Sequence, residues 1–263
     1  EVEVDQPHPP QENSMLVLVR LVLFAVSCLA AAAAEWEEVE VTGVSDEPKI
    51  FQRFDSQLDY KSFVGPSVEY DIMGATQFNL LTTLGLRDHH SLLDFGCGSL
   101  RAGRFFIMYL SKGNYYCVEP HSELIREAAK HDIGSDLFSL KQPHIYSGSE
   151  ALFEFDVFDK YDFDFLLAQS ILSHTGLGLV RFLLEEFAQL LSPDGLALVT
   201  LITLHPDMPV GHKLHTGNDW VYPGVTEFHP SIIPEVFLYL SPTVYVSFNP
   251  ILLFMCLFIS LGH

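Results

Sequence analysis

Between residues 70 and 202 short apolar runs alternate with stretches whose apolar positions recur every three or four residues. The runs Ser91–Phe95, Asn114–Glu119, 163–171 and 196–202 have the length and composition of buried strands. A weaker run at 141–146 predicts one more. The helical stretches fall between them. Residues 70–84 offer Ile72, Phe78, Leu81 and Leu84 for packing and stop at Gly85. After the first strand, Leu100, Gly103, Phe106, Ile107 and Leu110 share one side, and Ser99 is placed to cap that helix. Residues 122–130 turn Leu124, Ile125, Ala128 and Ala129 inward, and 179–191 carry Leu179, Leu183, Phe187 and Leu190 at core spacing. Ser192-Pro193-Asp194-Gly195 reads as a turn. Strands alternating with helices predict an α/β domain, a Rossmann-like, doubly wound, mostly parallel sheet over residues 60–228.

The pattern fails on either side. Residues 1–14 are acidic and proline-rich and are expected to be disordered. Residues 15–34 are nearly all apolar, with Arg20 the one charge and Ala32-Ala33-Ala34 before Glu35. A signal peptide, an uncleaved membrane anchor and a buried helix are all open there. The expected address is the secretory pathway or a membrane, with a plastid also open. Residues 35–59 read as a linker. In the tail, 229–263, the segment 236–262 holds no charge and is broken by Pro242 and Pro250. Three readings stand for it: a hairpin (236–240 with 243–248) followed by an apolar helix, a membrane segment, or foreign sequence. The last is favoured and would leave the sheet without its closing strands.

Charge narrows the partners. Fourteen Lys and Arg against thirty-four Asp and Glu give a net −20 over 263 residues. Such a surface repels phosphate backbones, so nucleic acid is not the expected substrate. Cys28, Cys97, Cys117 and Cys256 are too few and scattered for a disulfide framework; Cys97 and Cys117 read as small buried thiols.

The chemistry gathers at Leu92-Leu93-Asp94-Phe95-Gly96-Cys97-Gly98. Strand, glycine turn and helix together let a ligand approach the backbone closely. Glu119, 21 residues after Gly98, closes the second strand, where an acid accepts hydrogen bonds from ribose hydroxyls. A dinucleotide fingerprint requires a third glycine where this chain has Arg101, which argues against a nicotinamide oxidoreductase. An acid two residues before G-x-G instead resembles the class I S-adenosylmethionine-dependent methyltransferases, over residues 60–228.

That resemblance implies S-adenosylmethionine as cofactor. Asp94, Gly96 and Gly98 would shape its methionine side, with Arg101 beside them, and Glu119 would hold the ribose. Ser149 and Glu150 stand where this fold often contacts adenine. Tyr70–Asn79 looks like the helix that precedes the first strand in one bacterial-type branch, and Asn218–Phe228 resembles the same branch. In that helix Gln77 or Tyr70 is able to reach the cofactor, though packing explains both. Gln169, Ser170 and His174 follow the fourth strand at the point where strand order reverses, and so would face the methyl group. His174 is the candidate base, since histidine titrates near neutrality; a structural histidine is the alternative. His205, Asp207, His212 and His215 are too loosely spaced to predict a metal site. The expected function is methyl transfer to a small-molecule acceptor. The alternative is a non-catalytic cofactor-binding or interaction module on the same fold.

Overall fold

The computed structural model describes residues 59–148, 155–158, 162–203, 220–222, 224–228, 244–248 and 254–260. The leader, the linker before residue 59, Ser149, Glu150 and the histidines between 205 and 215 lie outside them.

The alternation of runs and amphipathic stretches becomes a three-layer fold. Helix α1 is Tyr70–Thr83, strand β1 Leu92–Phe95, α2 Gly103–Tyr109, β2 Tyr115–Val118 and α3 Ser122–Ala128. A π-helical turn (Ala129–Ile133) leads into α4, Ser135–Lys141, and then β3, His144–Tyr146. Strand β4 is Phe163–Ala168, α5 Leu177–Leu190, β5 Leu191–Thr203 and β6 Glu227–Phe228. Strands β7, Val244–Phe248, and β8, Phe254–Ser260, close the order. The sheet runs β3-β2-β1-β4-β5-β8-β7, with β6 also on β5. Strands β1 to β6 pair in parallel; β8 is antiparallel to β5 and β7 to β8. This is the doubly wound, Rossmann-like arrangement.

Because strand side chains alternate faces, each parallel strand feeds two cores. Leu93, Phe95, Tyr116, Val118, Leu166 and Ala168 pack on one face with α5, through Leu179, Leu183 and Phe187. Leu92, Tyr115, Cys117, Phe165 and Leu167 pack on the other, against Leu81 of α1, Phe106 and Ile107 of α2 and Ile125 of α3.

Several expectations change. Ser99 does not cap α2: residues 99–102 form turns, Leu100 takes a left-handed φ of 56°, and the helix starts only at Gly103. Ile72 points outward at 66% exposure, and the buried face of α1 is Tyr70, Met73, Gly74, Gln77 and Leu81. Helix α4 was not foreseen. Residues 192–195 do turn, but as a bulge within β5, since Phe163 pairs with Leu191 and Phe165 already with Leu196. Cys97 and Cys117 are not separate thiols but a disulfide, their Cα atoms 5.8 Å apart. The reason is register: β2 sets Cys117 opposite Asp94, and the glycine turn folds Cys97 back so that its N–H reaches the Val118 carbonyl.

The tail gives the largest correction. Strand β8 runs along β5 from Leu196↔Ser260 to Ile202↔Phe254, so the sheet has closing strands and extends past residue 228. A continuous apolar run is what a strand paired on both sides requires. Residues 244–248 fall within the expected hairpin, but their partner is 254–260 rather than 236–240. Among the described residues no helix is long and apolar enough to cross a membrane.

Candidate active site

The strand order reverses between β1 and β4, and a cavity of about 360 Å³ opens at their C-terminal ends. Asp94, Gly96, Gly98 and Arg101 line it from β1 and the turn beyond, and Glu119 from the end of β2. Gln169, Ser170 and His174 line it from the segment after β4. These eight residues, selected from the sequence for the two ends of the cofactor and the base, are therefore brought to one cavity.

Two buried acids define one wall. Glu119 is 5% exposed, and both its carboxylate oxygens accept backbone N–H bonds, from Gly98 at 2.9 Å and His121 at 3.0 Å. Burial pushes its carboxyl up to about 7, the two N–H groups oppose that rise, and Asp94 adds to it. Asp94 accepts the Tyr115 hydroxyl at 2.7 Å and is likewise raised by burial to about 7, against the pull of Tyr115 and Arg101. Each carboxylate oxygen has a second lone pair, so Glu119 retains acceptor capacity toward the cavity.

The glycines answer to the protein's own packing as well as to a ligand. Gly96 has φ 73° and lies beneath the Ile171 side chain. Gly98 has φ 56°, and a Cβ there would sit 2.5 Å from Cγ1 of Val64. Val64 belongs to a short turn before α1, Ser62–Val64, whose Phe63 and Val64 line the cavity. Arg101 Nη1 donates to the Val64 carbonyl at 2.5 Å, so this arginine ties down that turn while lining the cavity.

The opposite wall comes from the segment after β4. Ser170 has φ 59°, and its N–H is held by Thr200 Oγ1 at 2.7 Å; Gln169 Nε2 donates to Ser170 Oγ at 3.2 Å. His174 closes a one-turn helix, Leu172–His174, and its Nδ1 is 2.6 Å from the Gly224 carbonyl. A carbonyl only accepts, so Nδ1 carries the proton and Nε2 keeps a lone pair. Burial lowers the His174 pKa below its ordinary value, the Gly224 bond resisting. Val221 N–H donates to the His174 carbonyl and Thr226 N–H to the Ser173 carbonyl, which ties both residues to the segment after β4.

Sequence reasoning missed the roof. Phe63 packs its ring against His121 at 5.2 Å and Tyr222 at 5.9 Å, and Tyr222 packs against His174 at 5.1 Å. These four rings come from four distant parts of the chain, and no periodicity relates them. Trp220 also lines the cavity. Tyr70 does not; its hydroxyl donates to the Ser99 carbonyl at 2.5 Å. Gln77 does line it.

Residues 93–197, which hold the glycine turn, Glu119 and His174, match the family model of a methyltransferase domain. That match spans 105 of the chain's 263 residues. No curated protein matches the sequence. Among solved structures, a complex of DhpI with SAM and HEP is 16% identical, with a TM-score of 0.51 over 76% of this chain and 89% of that one. A DhpI–SAH complex is 17% identical, with a TM-score of 0.49 over 74% and 91%. A putative O-methyltransferase from Nostoc punctiforme is 14% identical, with a TM-score of 0.49 over 73% of this chain and 59% of that chain. At such identities the likeness concerns the fold. The cavity itself lies at the strand ends where doubly wound sheets bind their ligands.

Proposed function

We propose that the chain is an S-adenosylmethionine-dependent methyltransferase acting on a small-molecule acceptor. The observation that carries this is the position of Glu119. It is a buried acid closing β2, held at both oxygens beside the glycine turn, in the cavity that His174 enters from the other side. Glu119 would accept the ribose hydroxyls, while Gly96, Gly98 and Asp94 border the methionine portion. Gln169 and Ser170 would flank the methyl position. The cofactor supplies a methyl group on a sulfonium, open to in-line displacement. The protein's contribution is to align the acceptor and to take its proton where the acceptor is a hydroxyl or an amine. His174 is the group for that proton, since its lowered pKa keeps it neutral at pH 7 and its Nδ1–H bond leaves Nε2 to accept.

Calorimetric titration with S-adenosylmethionine and S-adenosylhomocysteine tests binding, and a metabolite extract with labelled methyl donor tests transfer. Saturable binding of both and label in a small molecule are expected. Absence of binding would overturn the proposal. Binding without transfer to any acceptor would instead favour a cofactor-binding module.

A further inference from the structure

Gln77 is 5% exposed on the inner face of α1, lines the cavity, and its Nε2 has no hydrogen-bond partner within the protein. A buried amide donor without an acceptor is disfavoured, because it has given up water for nothing. Gln77 is not there through loose packing. One turn earlier, Gly74 meets the Arg101 carbonyl so closely that a Cβ would collide with it, which fixes α1 against the turn that follows β1. The amide is thus held at the cavity wall with a free donor, on the helix that touches residue 101.

We propose that Gln77 is a binding residue that donates Nε2–H to the carboxylate of the methyl donor's amino-acid end. This rests on the function proposed above. Charge decides which part of the donor Gln77 meets. Asp94 and Glu119 are acids, suited to the ammonium and the ribose hydroxyls and unsuited to a carboxylate. Arg101 is the cation among the described lining residues, apart from the histidines, and α1 packs directly on its backbone. A carboxylate is the one anionic group of S-adenosylmethionine, so it belongs beside Arg101 and an orphaned N–H. A neutral amide suits this position better than a second cation, since the ligand's carboxylate brings one charge and Arg101 already answers it.

Two ligands separate this inference from the one beneath it. S-adenosylhomocysteine carries the amino-acid end; 5′-methylthioadenosine lacks it. Wild-type protein, Gln77→Leu and Gln77→Glu are titrated with both after circular dichroism confirms folding. Gln77→Leu is expected to weaken S-adenosylhomocysteine about tenfold, the worth of one hydrogen bond to a charged group, and to leave 5′-methylthioadenosine unchanged. Gln77→Glu sets like charge against the carboxylate. It should weaken S-adenosylhomocysteine further, and improve the relative binding of a decarboxylated donor. Equal losses for both nucleosides, or none, in a folded Gln77→Leu would overturn the assignment while leaving the methyltransferase reading intact. Wild-type protein that binds neither would overturn both.

Discussion

Removing the Glu119 carboxylate perturbs the fold and the cofactor by separate, countable terms. At pH 5.5, where Glu119 is protonated in the fold and adds no buried charge, Glu119→Ala leaves the Gly98 and His121 N–H groups without their acceptors at 2.9 and 3.0 Å. A buried donor left unpaired costs about 1–3 kcal/mol, so the substitution removes roughly 2–6 kcal/mol from a domain whose stability is on the order of 5–15 kcal/mol. Glu119→Gln retains one oxygen, and its NH₂ then faces one of the two N–H groups, so it loses about half as much. At about 2–4 °C per kcal/mol for a domain of this size, the glutamine variant should melt several degrees below wild type and the alanine variant lower still. Cofactor affinity is the second term. Hydrogen bonds to a charged group contribute about 1.5–3 kcal/mol, so Glu119→Ala should weaken S-adenosylhomocysteine roughly 10- to 100-fold and Glu119→Gln less. Differential scanning fluorimetry at pH 5.5, followed by calorimetry at pH 8 and a temperature where all variants are folded, separates the two. A folded Glu119→Ala with wild-type affinity would refute the ribose role. Equal melting temperatures would refute the structural count.

Three further outcomes follow from the same geometry. Asp94 and Glu119, ordinarily near 3.8 and 4.5, are each raised to about 7 in the folded protein. Folding therefore favours their protonated forms: this contribution is complete below about pH 4, falls as pH rises toward 7 and is gone above about pH 8, on the order of 3–4 kcal/mol each at most. Urea titrations from pH 5 to 8 should show that loss in wild type and a flatter profile in Asp94→Asn/Glu119→Gln; parallel profiles would contradict it. His174→Ala should leave cofactor affinity nearly unchanged and lower turnover on a hydroxyl or amine acceptor about 10²- to 10⁴-fold, read as kcat under saturating donor. Full activity would remove the base. A chain ending at Phe228 should be less stable and should self-associate on light scattering, because it uncovers the β5 edge that β8 pairs along residues 196–202. A monodisperse, equally stable truncation would mean that the closing strands add nothing.

Local pattern carried most of the fold. Strand runs, helical stripes and glycine turns are short-range signals, so the β-α alternation, the β1-turn-α2 unit and the bounds of α1 could be read directly. The candidate residues were legible for the same reason: Gly96, Gly98 and Glu119 sit at fixed distances from strand ends, and the α/β architecture carries every parallel strand's C-terminal end to one edge. The tertiary structure alone decided what depends on residues far apart in the chain. Ser99 looked like a cap, yet residues 99–102 turn, with Leu100 in the left-handed region, and α2 starts only at Gly103. Cys97 and Cys117 looked independent because only strand register sets them face to face. Gly98 invited a ligand in the sequence, yet Val64, from 34 residues earlier, is what meets its missing Cβ. Strand β8 carries no internal alternation to distinguish it from a membrane segment; it becomes a strand by pairing with β5. The aromatic roof of Phe63 and Tyr222, and the unpaired amide of Gln77 in the same cavity, follow from packing among distant segments, which spacing along the chain does not encode.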